Sequence, residues 1–273
     1  MSAAGLRQRL ATGERHVSPF LMLGDPSPEI CVQLCRALVD AGAGMLELGI
    51  PYADPSADGP AVQAAGRRAL EAGVSTDVAF AVLREIRAAC PDTPCNLLVY
   101  GNLVHARGYD RFCRDAVCAG ASSLLVPDIP LEEGADLRAA CAAHDLGTVL
   151  LAGPRTPDAR LRAIDAAADA FVYLAGHQGI TGAQGSGDEQ RRALVRRVRE
   201  VVQGPLCVGF GLGAREHVQA VHEAGAELAV VGSHLLRVLA DAHRRHRGDV
   251  QPVLRAVTQA FQQLIEKENP QCS

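Results

Sequence analysis

Short apolar runs alternate along the chain with longer segments whose apolar residues recur at helical spacing. The short runs are rich in leucine, valine and isoleucine, as in parallel strands that are buried on both faces. The longer segments carry apolar residues three and four positions apart, which predicts amphipathic helices. The predicted strands are residues 19–23, 45–50, 95–100, 123–126, 148–151, 170–174, 206–210 and 229–231, and the clearest predicted helices are residues 28–40, 76–89, 132–144, 188–202 and 214–224.

The order of these elements indicates the fold class. Eight strand–helix units in about 230 residues are typical of an α/β protein with a closed (β/α)8 barrel, the TIM barrel. An open doubly wound sheet is the alternative, but the turn Leu23-Gly24-Asp25-Pro26 lacks the glycine pattern of a dinucleotide site. The sequence therefore predicts a single barrel domain over residues 1–273, with residues 1–16 as an extra N-terminal helix and residues 248–268 as a C-terminal helix.

An internal repeat sets one residue apart. Ala-Gly-Ala triplets centred on Gly42, Gly120 and Gly225 each fall between a predicted helix and a predicted strand, where a left-handed glycine can end the helix. When the triplets are aligned, Glu47 takes the position at which the other two repeats have Leu125 and Val230. A carboxylate therefore stands where the repeat otherwise has a bulky aliphatic side chain.

Glu47 is the only polar side chain of the strand segment 45–50. An ionised carboxylate is costly to bury, so we expect burial to raise the pKa of Glu47 toward neutrality. Such a carboxyl group can both donate and accept a proton near neutral pH. The alternative is a structural glutamate bound to an arginine or to the backbone of a neighbouring strand.

The segment after this strand, residues 51–60, contains two aspartates and three prolines. In a barrel it forms a βα loop at the carboxyl ends of the strands, where catalytic groups gather. Asp58 is therefore a candidate catalytic residue, although Asp-Gly-Pro is also an ordinary turn sequence, and both readings stay open. For Asp54 the turn is the favoured interpretation.

Glycines follow the last three predicted strands, in residues 179–182, 209–211 and 232–233. Backbone N–H groups approach an anion closely at glycine, and a helix that begins at Ser233 favours negative charge at its N-terminus. The loops after strands seven and eight are the usual phosphate site of such barrels. We expect a phosphate site built mainly from backbone donors, while the alternative is that the glycines only turn the chain.

The composition excludes several classes of protein. A hydrophobic fraction of 48% and a mean hydropathy of +0.06 are typical of a globular protein and not of a disordered or fibrous one. No apolar run approaches the ~20 residues of a membrane span, and the N-terminus shows no signal-peptide core. The net charge of −4, without a basic face, argues against nucleic acid. The expectation is a cytoplasmic protein that binds neither membranes nor nucleic acid.

Cysteine, histidine and lysine restrict the chemistry. The nine cysteines include no Cys-x-x-Cys pair and the nine histidines show no metal-ligand spacing, which predicts a reduced cytosolic chain without a metal. Lys267, the only lysine, lies near the C-terminus and is a poor candidate for a Schiff base. Carbon–carbon bond chemistry in this chain is therefore expected to use neither an imine nor a metal.

With these residues in place, the chain resembles the α subunit of tryptophan synthase nearly from end to end. The most specific segment is residues 46–60, which is close to a signature of that family. The other matching positions are residues 19–26, Tyr100, Asn102, residues 128–130, residues 132–133, Tyr173, and residues 181–182, 209–211 and 232–233.

The resemblance implies a (β/α)8 lyase of tryptophan biosynthesis that cleaves indole-3-glycerol phosphate into indole and glyceraldehyde 3-phosphate without a cofactor. It implies that Glu47 protonates carbon 3 of the indole ring and takes a proton from the substrate hydroxyl, and that Asp58 accepts the indole N–H. The implied substrate-binding residues are Phe20, Tyr100, Tyr173, Thr181, Gly182, Phe210, Gly211, Gly232 and Ser233, with Gly182, Gly211, Gly232 and Ser233 at the phosphate.

The resemblance also implies a partner, a pyridoxal-phosphate-dependent β subunit in an α2β2-type complex. Three features depart from the family pattern: Ser56 replaces a large aliphatic residue, His177 stands where an arginine is common, and residues 183–188, an expected lid, are rich in glycine. These departures favour, as an alternative, a stand-alone indole-releasing lyase of a specialised pathway. Two further alternatives are a weakly catalytic homologue that activates a partner and another phosphate-binding barrel, such as a sugar-phosphate isomerase.

Overall fold

The computed structural model describes residues 3–176, 186–246 and 249–265. Its eight strands follow one another around a closed barrel, and the barrel closes because β1 pairs in parallel with β8 as well as with β2. The predicted barrel is thereby confirmed. The strands are β1 His16–Met22, β2 Leu46–Gly49, β3 Cys95–Leu98, β4 Ser123–Leu125, β5 Gly147–Ala152, β6 Phe171–Leu174, β7 Leu206–Val208 and β8 Leu228–Val231.

Helices cover the outside of this barrel. α2 shows why they form: Ser27 accepts a hydrogen bond from the Ile30 N–H at its N-terminus, and Pro28 supplies the first helical residue. The helices of the described residues are α1 Ala3–Leu10, α2 Pro28–Asp40, α3 Pro60–Glu71, α4 Thr76–Ala89, α5 Gly101–Arg107, α6 Tyr109–Ala119, α7 Ala135–Ala143, α8 Asp158–Ala167, α9 Ser186–Val201, α10 Arg215–Glu223, α11 Ser233–Arg245 and α12 Val250–Ile265.

The ends of the chain differ from the prediction. Residues 1–16 are not one helical extension, because α1 covers only Ala3–Leu10 and β1 already begins at His16. The apolar pattern predicts only the later part of β1 because His16 and Ser18 are polar, although both are buried and lie opposite Leu228 and Val230 of β8. The C-terminal helix, predicted over residues 248–268, is seen as α12, and residues 247–248 and 266–273 lie outside the described residues.

The Ala-Gly-Ala repeat acts as expected. Gly42, Gly120 and Gly225 have nearly equal positive φ angles of 106°, 107° and 108°. Such angles are open to glycine and strained for other residues, so each helix stops there and the chain turns into the next strand.

The strand register fixes which side chains share a level of the barrel. Phe20 on β1 lies opposite Glu47 on β2, Glu47 opposite Asn96 on β3, and Asn96 opposite Ser123 on β4. Side chains alternate between the two faces of a strand, so Glu47 and Gly49 share one face and Gly49 lies closer to the carboxyl end. Acidic and polar side chains thus enter one level of the interior from adjacent strands.

Among the described residues no helix combines the length and the apolar character that crossing a membrane requires. The organisation of all 273 residues as one domain stays a prediction, because the described ranges omit parts of the chain.

Candidate active site

Glu47 points into the interior of the barrel. The hydroxyl of Tyr173 donates a hydrogen bond to Oε1 of Glu47 at 3.2 Å, and Nδ2 of Asn96 donates to Oε2 at 3.3 Å. Tyr173 lies on β6, which is not adjacent to β2 in the barrel, so this bond crosses the interior. Glu47 is 1% exposed, and within the described residues its carboxylate makes no ion pair with an arginine.

Burial raises the pKa of Glu47 from its ordinary value of 4.5 to about 7. The hydrogen bonds from Asn96 and Tyr173 oppose this effect because they stabilise the charged form, but burial is the larger cause. Asn96 is itself oriented by the hydroxyl of Ser123, which donates to its Oδ1 at 2.8 Å and leaves Nδ2 to face the carboxylate. Near neutral pH this carboxyl group is therefore able both to give and to take a proton.

Asp58 lines a small open cavity at the carboxyl ends of the strands. Gly49 and Tyr100 line the same cavity, and Glu47 precedes Gly49 by two positions on the same face of β2. The Glu47 carboxyl group therefore lies one level deeper in the barrel than the cavity that Asp58 lines. Burial raises the pKa of Asp58 to about 6, against a smaller opposing effect of a hydrogen bond from Tyr100.

The loop that carries Asp58 is both a turn and part of this cavity. The N–H of Asp58 donates to the carbonyl of Pro55 at 3.2 Å, and the N–H of Ser56 donates to the carbonyl of Asp54 at 3.0 Å. The N–H of Ala57 donates to the Tyr100 hydroxyl at 2.9 Å, which attaches the loop to the end of β3. The two interpretations of Asp58 are therefore compatible, while Asp54 is exposed.

Tyr173 connects the two carboxyl groups electrostatically. Burial raises the pKa of its hydroxyl, and the negative charges of Glu47 and, to a smaller extent, Asp58 raise it further. The residue after β7 leaves room for the ring only because it is Gly209, since a Cβ there would lie 1.7 Å from the Tyr173 hydroxyl. The phenol is thus fixed against the Glu47 carboxyl group.

The aromatic residues expected around the substrate lie at different strand ends. Phe20 is buried against the ends of β2 and β8, where a Cβ at Gly49 would approach its ring tip to 2.9 Å and a Cβ at Gly232 its Cβ to 3.2 Å. Phe210 is half-buried, and its ring lies over Gly176, where a Cβ would come within 2.0 Å.

The backbone after β7 and β8 carries free hydrogen-bond donors. Within the described ranges the N–H groups of Gly211, Leu212, Gly232 and Ser233 have no hydrogen-bond partner. Gly211 has a φ of +64°, which places this loop in a conformation that other residues rarely adopt. Free N–H groups at the start of α11 favour an anion. Gly182, the other expected phosphate residue, and Thr181, an expected substrate-binding residue, lie outside the described residues, as does His177.

The sequence did not single out several residues of this site. Asn96 and Ser123 hold the Glu47 carboxyl group, and each is polar within an otherwise apolar strand, a signal that the sequence does contain. Tyr52 stacks on Tyr100 with ring centroids 5.2 Å apart. In the described part of the chain no cluster of three or more histidine, cysteine, aspartate or glutamate residues is arranged to hold a metal ion.

Comparisons with known proteins point to one family. A family model described as the tryptophan synthase alpha chain matches residues 6–266. The tryptophan synthase alpha chain of Methanococcus maripaludis is 39% identical over 247 residues, covering 90% of this chain and 93% of that protein. The alpha chain of Corynebacterium glutamicum is 38% identical, covering 84% of this chain and 82% of that protein.

Solved structures give the same result. A structure of the tryptophan synthase α2β2 complex from Pyrococcus furiosus, described as the basis of mutual activation within that complex, contains a chain with a TM-score of 0.81 and 32% identity. The match covers 91% of this chain and 97% of that one.

Proposed function

Because this chain belongs to the tryptophan synthase α chain family, and so is a lyase, we propose that it cleaves the carbon–carbon bond of indole-3-glycerol phosphate. The products are indole and glyceraldehyde 3-phosphate. One observation carries the proposal: the carboxyl group of Glu47 is buried in the barrel interior with a pKa of about 7, below a cavity lined by a second acid, Asp58.

The proposed reaction is a retro-aldol cleavage in which the indole ring accepts the electrons. Glu47 delivers a proton to ring carbon 3, which turns the ring into an iminium-like electron sink. The carboxylate that results removes the proton from the hydroxyl next to that carbon. The bond between the ring and the glycerol chain then breaks, its electron pair restores the indole, and the former hydroxyl carbon becomes the aldehyde. Protons and electrons balance with the side chains of this chain alone.

Asp58 has a different role in this scheme. Its carboxylate accepts a hydrogen bond from the indole N–H, which becomes most acidic when the ring carries positive charge. The interaction therefore strengthens in the transition state, as catalysis requires. Tyr100 supports this role, because its hydroxyl fixes the loop through Ala57 and donates to Asp58.

The substrate's phosphate belongs, in the same proposal, at the ends of β7 and β8. The free N–H groups of Gly211, Gly232 and Ser233 provide its donors, together with Thr181 and Gly182 from the part outside the described residues. Phe20, Tyr173 and Phe210 contribute apolar surface for the indole ring. This arrangement suits a chain whose only lysine is Lys267.

A β subunit is the proposed partner, since the similar Pyrococcus furiosus chain was solved within an α2β2 complex. A cytoplasmic location is also part of the proposal and rests on nine cysteines without disulfide spacing. Turnover of indole-3-glycerol phosphate with and without an added β subunit distinguishes a coupled subunit, stimulated by its partner, from a stand-alone lyase that is already fast without it.

The test of the chemistry uses Glu47→Gln and Asp58→Asn, with Asp54→Asn as the control for an exposed aspartate of the same loop. Loss of the acid–base group is expected to lower kcat by about 10²–10⁴-fold in Glu47→Gln while the fold persists. Asp58→Asn is expected to lower kcat with little change in KM, and Asp54→Asn, assayed without partner, to behave like wild type. Wild-type turnover in Glu47→Gln would remove Glu47 from the mechanism.

A further inference from the structure

A buried arginine lies beside the loop that follows β7. Arg191, on α9, is 4% exposed, although it belongs to a strongly charged helix. Its Nη1 pairs with the carboxylate of Asp188, and its Nη2 donates to the carbonyl of Gly211 at 3.1 Å. Its Nε has no partner among the described residues. A guanidinium is costly to bury, so its position against Gly211 calls for a reason other than packing.

The same charge cluster holds this loop at a second point. Nδ1 of His217 accepts a hydrogen bond from the N–H of Gly213 at 3.3 Å, and its Nε2 lies 3.6 Å from the carboxylate of Asp188. Arg191 and His217 therefore contact the loop on either side of Leu212, and Asp188 lies against both. Gly211 is also needed for the close approach, because a Cβ there would lie 3.1 Å from Nη2 of Arg191.

The hydrogen bond to Gly211 sets the direction of one backbone donor, the N–H of Leu212. In a trans peptide the carbonyl and the following N–H point in opposite directions. With the Gly211 carbonyl turned toward Arg191, the N–H of Leu212 points away from α9. This N–H and that of Gly211 are without a partner in the described ranges, and Leu212 is only 6% exposed. Buried N–H groups without partners are rare, and an arriving anion would satisfy them.

We propose that Arg191 is a positioning residue of the phosphate site. It fixes the Gly211 carbonyl, so that the N–H of Leu212 is turned away from α9 and toward the anion before the anion arrives. The inference rests on the proposed function, which supplies the phosphate ester. Arg191 acts through Gly211 and is not itself a ligand of the substrate.

The test compares Arg191→Leu and Arg191→Lys with Arg192→Leu. Arg192 is the adjacent arginine of α9 and pairs with Glu223 at 3.4 Å. Arg192→Leu therefore removes one positive charge, as Arg191→Leu does, but leaves the hydrogen bond to Gly211 in place. The measured quantities are the Kd values of inorganic phosphate, glyceraldehyde 3-phosphate and indole, together with kcat, KM and Tm. Indole lacks a phosphate and reports on the rest of the pocket.

Arg191→Leu is expected to raise the Kd of both phosphate ligands about tenfold, the effect of losing one hydrogen bond from a charged donor. The indole Kd is expected to stay at the wild-type value, and KM to rise while kcat changes little. Arg191→Lys keeps the charge but lacks the planar fork, so its phosphate Kd is expected to fall between those of wild type and Arg191→Leu. Arg192→Leu is expected to match wild type.

Equal weakening of indole and phosphate in Arg191→Leu would overturn the proposal, because it would indicate a merely structural arginine. If that variant does not fold, Arg191→Lys decides, and an unchanged phosphate Kd in it would also overturn the proposal. Phosphate binding is measured without turnover, so the two proposals fail separately. Arg191-dependent phosphate binding without lyase activity rejects only the function, and lyase activity with Arg191-independent phosphate binding rejects only the inference.

Discussion

The buried carboxyl group of Glu47 makes the stability of this protein depend on pH in a predictable direction. Its pKa is about 7 in the folded protein, against 4.5 for an ordinary glutamate. The folded state therefore binds this proton more tightly than the unfolded chain does. Stability is greatest where Glu47 is protonated in both states, and it falls as pH rises from about 4.5 through about 7. Glu47→Gln removes the titration and should remove this loss.

The expected magnitude follows from the separation of the two pKa values. At 1.36 kcal/mol for each pH interval of one, an ionised Glu47 costs the folded state about 3 kcal/mol above pH 8. Between about pH 5.5 and about pH 8.5, the free energy of unfolding of Glu47→Gln should rise relative to wild type by about 2 kcal/mol. Asp58 titrates in both proteins, so its effect cancels in the difference.

The assay is urea unfolding followed by circular dichroism at both pH values. Glu71→Gln serves as the control, because it is the same substitution at an exposed glutamate. The difference in the free energy of unfolding between Glu71→Gln and wild type should stay constant with pH. A constant difference for Glu47→Gln as well would refute the reasoning, since it would mean that Glu47 titrates alike in the folded and unfolded states.

Tyr173→Phe removes a hydrogen bond that lowers the pKa of Glu47. We expect kcat/KM to fall at alkaline pH where Glu47 loses its proton, and this fall should move to higher pH in the variant. An unchanged pH profile would count against this bond. Gly209→Ala inserts a Cβ 1.7 Å from the Tyr173 hydroxyl, and thermal or urea unfolding should report a loss of about 1–3 kcal/mol together with reduced turnover. Arg68→Leu leaves Asp25 buried without the guanidinium that binds both of its carboxylate oxygens at 2.7 Å, and should cost about 3–5 kcal/mol by urea unfolding, whereas a small loss would show that the pair contributes little.

Much of the barrel is predictable because its strands are buried on both faces. Continuous apolar runs between amphipathic segments locate all eight strands, and against that background a single acid such as Glu47 stands out. The same rule explains the error at β1, where His16 and Ser18 interrupt the apolar pattern and are nevertheless buried. Polar residues inside a barrel resemble the polar residues of a loop when only their order in the sequence is known.

The partners of Glu47 are less predictable than Glu47 itself. Asn96 contacts Glu47 because the register between β2 and β3 brings these residues opposite each other, and a single sequence does not reveal that register. The burial of Arg191 is even less predictable. Arg191 adjoins Arg192 on a helix rich in charge, and nothing in the local pattern indicates which of the two is buried. Only the packing of α9 against the loop after β7 buries one and leaves the other partly exposed.

The burial of Glu47 also bears on the source of the hydrogen that is transferred to the indole ring. The carboxyl group is 1% exposed, and the two side chains bonded to it, Asn96 and Tyr173, are 0% and 6% exposed. In the proposed cycle the acid gives one hydrogen nucleus to the ring and regains another from the hydroxyl, so it ends each turnover as it began. As long as the Glu47 carboxyl group does not exchange with water between turnovers, the proton that reaches one indole molecule is the hydroxyl proton of the substrate cleaved before it. That hydroxyl proton was itself in exchange with bulk water before the substrate bound.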